Sequence, residues 1–197
     1  MLFGTKLRPV SDFLPRVLAH VSGADADMVT TYIMDAVIQF LRDTKLLTEI
    51  ICFPLESCVN SYKLRTTNRI IEILHVRFFV YGCQQPTYRY HYRVEGDTFY
   101  IDDRHAQSSD TSVEVEIAVA PLRDSEQVPD ILYEEWVDAI TALTLSKLYL
   151  LTDNEWYNPK GAENQLMLYQ QLVRQARFTR VTKHKPFNMR LLNKRRF

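Results

Sequence analysis

Residues 128–177 read VPDILYEEWVDAITALTLSKLYLLTDNEWYNPKGAENQLMLYQQLVRQAR, and this stretch decides the architecture. Pro129 and Asp130 suit a helix start, because a first turn does not need proline's missing N–H and its free N–H groups favour a carboxylate. Ile131, Trp136, Ile140, Leu143 and Leu148 supply a buried side, which predicts one long helix to about Leu151. The DNEWYNP segment from Asp153 to Pro159 stops that helix and restarts another over 160–178. The inward side of the second helix is Leu166, Tyr169, Leu172, Val173 and Ala176. Two consecutive helices with a short connection pack antiparallel.

Toward the N-terminus, SDFLPRVLAH (11–20) predicts a short helix capped by Ser11 or Asp12, with Pro15 in its first turn. A second helix is predicted over 25–44. Asp25 or Asp27 starts it, and Val29, Ile33, Ala36, Val37, Phe40 and Leu41 form one apolar stripe. Between these early helices and the late pair the period changes to two. EIICFPLES (49–57), SYKL (61–64), RIIEILHVRFFVY (69–81) and SVEVEIAVAP (112–121) are rich in β-branched and aromatic residues and predict strands. YRYHYRV (88–94) alternates tyrosines with cations, and Glu95-Gly96-Asp97 turns it back into TFYIDD (98–103). The expected fold is α+β and mainly helical. It is an antiparallel helical bundle (about 11–45 and 129–178) with a β-rich insertion (about 49–121). Residues 1–179 form one domain, and an extended basic arm occupies 180–197.

The chain of 197 residues is long enough for a substantial core. Its 24 basic and 24 acidic residues cancel, but no Asp or Glu follows Glu163. That stretch holds Arg174, Arg177, Arg180, Lys183, Lys185, Arg190, Lys194, Arg195 and Arg196. Such an end points to an acidic partner or a polyanion. Glycine is scarce, at 5 residues, which argues against loops that cradle phosphates. Cys52, Cys58 and Cys83 fit no common zinc spacing and read as buried thiols in a reducing cytoplasm. MLFGTKLRPV carries no long apolar run, and no segment approaches a membrane span, so a soluble protein is expected.

The order of these segments resembles phage head-to-tail connector or adaptor proteins. The late pair carries the likeness: Pro129-Asp130 opening a helix, a Trp156-Tyr157-Asn158-Pro159 turn, and a final helix ending in Ala176-Arg177. FLPRVLAHVSGADADMVTTYIMDAVIQFLRDTK (13–45) also resembles the family's opening, with a Leu-Pro segment before a helix written Ala36-x-x-x-Phe40-x-x-x-Thr44. NRIIEILHVRF (68–78) and TSVEVEIAVAPLRD (111–124) resemble its sheet. One departure is AITALTLSKL (139–148), where the family often has a small, Gly- or Ala-rich stretch. The resemblance implies a non-enzymatic virion protein at the head–tail junction, made in the host cytoplasm. It would form a ring of its own copies, typically twelve, beneath the portal protein. The ring would meet a tail tube or nozzle protein below, and packaged double-stranded DNA would pass through its lumen without sequence preference. No membrane partner is expected.

The chemical motifs point to no enzyme. Asp102-Asp103-Arg104-His105 is the best polar cluster, but neighbours at a strand end face different ways, and it reads as a solvated strand end. His20, His75, His91, His105 and His184 make no HxH or HxxxH pair. Glu56-Ser57-Cys58 lacks the glycine frame of a nucleophile elbow. No catalytic, cofactor-binding or metal-binding residue is assigned, and no cofactor is expected. Arg89, His91 and Arg93 would contact phosphates if the tyrosine strand bound nucleic acid. The favoured reading is an amphipathic strand that buries Tyr88, Tyr90 and Tyr92. Trp136 and Trp156 serve equally as core anchors or interface anchors.

The arm interleaves cations with Phe187, Met189, Leu191, Leu192 and Phe197, which a purely solvated tail would not carry so densely. The expected docking set is Arg180, Lys183, Lys185, Phe187, Met189, Arg190, Leu191, Leu192, Lys194, Arg195, Arg196 and Phe197. By the resemblance, its partner is the portal's rim. The alternative is a sequence-tolerant nucleic-acid-binding module that uses the same basic arm.

Overall fold

The computed structural model describes residues 6–87, 90–102, 111–152 and 154–183. In chain order its elements are β1 (Leu7–Pro9), a 3₁₀ turn (Val10–Phe13), α1 (Leu14–Leu18), α2 (Ala26–Thr44), β2 (Thr48–Pro54), β3 (Ser61–Lys63) and β4 (Arg69–Val80). There follow β5 (Cys83–Gln85), β6 (Tyr92–Glu95), β7 (Thr98–Ile101), β8 (Thr111–Ala120), β9 (Gln127–Pro129), α3 (Ile131–Glu134), α4 (Val137–Leu148) and α5 (Pro159–Lys183).

α2 forms as its sequence dictates. Asp25 is extended at ψ 128°, and its carboxylate accepts from the Met28 N–H at 2.8 Å, satisfying one of the free amides of the first turn. All six residues of the expected stripe are buried, as are Met34 and Ile38, so α2 is covered over a wide arc. It ends at Lys45, whose left-handed conformation (φ 53°) lets its N–H bond the Leu41 carbonyl at 2.7 Å.

The strands form three antiparallel sheets: β1–β9, β2–β8–β4–β5 and β3–β7–β6. β8 is central in the largest, pairing Ile51 with Val115 on one side and Val76 with Val115 on the other. Val113, Val115, Ile117 and Val119 of β8 are buried, and β8 touches α2. β4 carries register shifts between Ile70 and Glu72 and between Ile73 and His75, which bend it. The β6–β7 hairpin turns at Gly96-Asp97, with Glu95 opposite Thr98 and Gly96 at φ 60°, a conformation suited to glycine. Phe53, Phe78 and Phe99 join this small sheet to the large one: ring centroids lie 5.5 Å apart for Phe53–Phe99 and 6.4 Å for Phe78–Phe99.

Two expectations need correction. The protein is not mainly helical. Nine strands among the described residues, in three antiparallel sheets, share the mass with the helices. The apolar residues of β8 and the apolar stripe of α2 belong to one continuous core. The long helix predicted from Pro129 is also interrupted. Pro129 belongs to β9 and pairs with Leu7, α3 is a single turn, and Trp136 (φ −129°, ψ 13°) leaves helical geometry before α4 begins. α4 and α5 do pack together; α4 ends at Leu148, ahead of the DNEWYNP segment, and α5 restarts at that segment's last residue, Pro159.

Candidate functional site

The segment the sequence singles out begins within α5. This helix lies against α4 and the C-terminal end of α2. Its buried stripe is narrow: Ala162, Tyr169, Val173 and Ala176 are buried, and Leu172 packs partly on the core. Leu166, expected inward, is 42% exposed, because it stands at the border of that stripe. Asp43 of α2 holds the helix. The Tyr169 hydroxyl donates to Asp43 Oδ2 at 2.6 Å, and Arg177 Nε donates to the Asp43 backbone carbonyl at 2.7 Å. Burial pushes the Tyr169 hydroxyl pKa well above the usual phenol range, and the bond to the Asp43 carboxylate adds to that. Tyr169 therefore stays a donor.

Arg180 is half-buried on α5, and Lys183 is its last residue. The other residues of the expected docking set, from Lys185 to Phe197, lie outside the described residues. The outward side of α5 completes the surface. Lys160, Met167, Gln171, Arg174 and Phe178 recur at intervals of seven, four, three and four, which places them on one stripe. All five are exposed, Met167 at 56% and Phe178 at 71%. The exposed Glu163, one turn from both Lys160 and Met167, borders the stripe and is the one carboxylate of α5. The stripe's spacing is readable in the sequence, at helical intervals opposite the buried side.

A second surface lies on the other flank of α2. A groove of about 490 Å³ runs between the 3₁₀ turn, α2 and the loop 121–126. Its floor includes the buried Val10 and Met34. Asp35, Asp124 and Glu126 stand on its rim. Arg123 pairs with Asp35 at 3.2 Å, and Asp124 and Glu126 are exposed. Met34 and Asp43 are nine residues apart, or two and a half helical turns. The groove and α5 therefore sit on opposite sides of α2.

The tyrosine strand starts later than expected, at Tyr92, and Tyr88 and Arg89 lie outside the described residues. Tyr90 stacks on Phe78 with centroids 4.0 Å apart, and Tyr92 stacks on Phe99 at 5.5 Å. Tyr92 remains 37% exposed at the edge of this aromatic cluster. Arg93 lies 4.9 Å from the Tyr100 ring centroid and 3.5 Å from Glu95. Trp136 is buried, its ring 5.7 Å from that of Phe40, and Trp156 packs partly on the core.

Asp102 is exposed, its N–H bonded to the His91 carbonyl at 3.0 Å, while Asp103, Arg104 and His105 lie outside the described residues. His20, His75 and His91 are exposed and dispersed. Among the described residues no group of three His, Cys, Asp or Glu is placed to hold a metal. The cysteines correct another expectation, since Cys52, Cys58 and Cys83 are all exposed. Cys52 alternates with the inward Ile51 and Phe53 of β2, Cys58 sits at a turn, and Cys83 opens the edge strand β5. Among the described residues no helix is long and apolar enough to cross a membrane. The chain matches no protein-family model and no curated protein.

Proposed function

We propose that this chain is a structural virion subunit, a head-to-tail adaptor that forms a ring under a phage portal and lets DNA pass toward the tail. The observation that carries the reading is α5. It is fastened by a narrow stripe and by Asp43, leaves a broad side exposed, and leads into a basic segment with no acidic residue after Glu163. A helix held this way suits a subunit that works by contact. Its basic, apolar-rich C-terminal end suits a partner with carboxylates and apolar pockets. In such a mechanism the arm docks on the portal rim, and many equivalent sites around the rim add avidity.

The test is negative-stain imaging of the protein mixed with purified portal, for the full chain and for a chain ending at Lys183. That cut keeps α5 whole. Rings on the portal are expected from the full chain and not from the shortened one, with helicity by circular dichroism matching once the missing residues are allowed for. Normal joining by the shortened chain refutes the arm's role. Retention on DNA at low salt that falls steeply with added salt, without rings on portal, favours the nucleic-acid-binding module instead.

A further inference from the structure

We propose that the outward stripe of α5 in one copy docks into the acidic groove beside α2 in the next copy. The inference rests on the ring reading and names its lateral contact. The two surfaces match in chemistry. The stripe offers the cations Lys160 and Arg174 with the exposed apolar Met167 and Phe178, and Glu163 at its border is the one carboxylate of the helix. The groove offers an apolar floor at Val10 and Met34 beneath a rim on which Asp124 and Glu126 stand exposed. Arg123, the rim's own cation, is engaged with Asp35 at 3.2 Å.

They also match in placement. With α5 and the groove on opposite sides of α2, one copy cannot close the contact on itself. Each copy presents the stripe to one neighbour and the groove to the other. Such a heterologous contact closes into a ring when its rotation permits, whereas a two-fold contact stops at a dimer. Burial of Met167 and Phe178 supplies the attraction, and the charge pairs at the rim set the register. The carboxylates of the rim disfavour DNA as the occupant of the groove.

The test is charge reversal in the full chain. Lys160→Glu with Arg174→Glu alters the stripe, and Asp124→Lys with Glu126→Lys alters the groove. All four positions are exposed, so native circular dichroism spectra are expected. Sedimentation velocity at raised concentration, and negative stain with portal, should show that each altered chain alone loses the assemblies the wild type forms. An equimolar mixture of the two should regain them, because each stripe again meets a groove of opposite sign.

Assembly by either altered chain alone, no recovery in the mixture, or a wild type monomeric under both conditions overturns the contact. Loss of free self-association on ending the chain at Lys183, with the reversals inert, assigns the groove to the C-terminal segment and also overturns it. The two proposals fail separately. Rings on portal from both altered chains leave the adaptor reading standing without this contact. Charge-dependent self-association with no rings on portal leaves the contact standing without the adaptor reading.

Discussion

Arg8 gathers acidic residues that the sequence scatters. Its Nε donates to Asp130 Oδ1 at 2.5 Å, another guanidinium nitrogen donates to Glu134 at 2.8 Å, and Asp12 lies 3.4 Å away. The guanidinium also lies 4.2 Å from the centroid of the Tyr133 ring. The hydrogen bond from Arg8 holds the Asp130 carboxyl below the usual carboxylate range, with a further contribution from Lys6. The native state therefore takes up this proton less readily than the unfolded chain. Asp130 contributes stability that is fully present above the unfolded carboxylate pKa, about 4, and that is lost as pH falls through its lower native value. Melting temperatures of wild type and Asp130→Asn should therefore differ at neutral pH and converge as the solution is acidified below about pH 4. A gap unchanged across that window would refute the assignment. The sequence marked Asp130 as a helix-opening residue, and it does precede α3, but nothing local marked an arginine 122 positions away. The cysteines were misread for the opposite reason. Their burial was inferred from residue type, while the alternation of Ile51 and Phe53, visible in the sequence, already turned Cys52 outward.

At the scale of elements, legibility followed length and repetition. α2 repeats its apolar stripe over five turns and begins at a good cap, so it was readable nearly to the residue. β4 and β8 alternate long enough to announce themselves. β1, β5 and β9 have three residues each, too few for any period, and their pairing with distant partners is a tertiary fact. The interruption at Trp136 was hidden because the apolar spacing continues across it. α5 was recognised as a helix, but its attachment was not, since a tyrosine at an inward position reads as bulk and not as a donor. That donor is the test of the element. Tyr169→Phe keeps the ring and removes the bond to the Asp43 carboxylate, leaving the change about 1.5–3 kcal/mol less stable, the usual range for a hydrogen bond to a charged group. Urea unfolding with an unchanged m-value measures it. A loss near zero would mean that packing alone holds α5.

For the whole molecule, the decisive feature is that α2 is shared. It touches β8, α4 and α5, and Phe40 stands where its rows meet, fully buried, 5.7 Å from the Trp136 ring and 6.5 Å from the Tyr169 ring. A bundle with an appended sheet would let the two parts unfold independently. A common core does not, because removing α2 exposes the inner side of β8 together with the inner sides of α4 and α5. Phe40→Ala should therefore cost about 3–5 kcal/mol, as for a large aromatic truncated in a close-packed core, and should destabilise both regions together. Tryptophan fluorescence reports the helical layer through Trp136 and Trp156, and near-ultraviolet dichroism of the tyrosines reports the β layer as well. The two signals should share one midpoint in the wild type and one lower midpoint in Phe40→Ala. Separate midpoints, with the β signal unmoved by the substitution, would refute a cooperative common core. A single cooperative body is also what the lateral contact requires, because a stripe on one side of α2 and a groove on the other keep a fixed relation only if the helix between them does not yield.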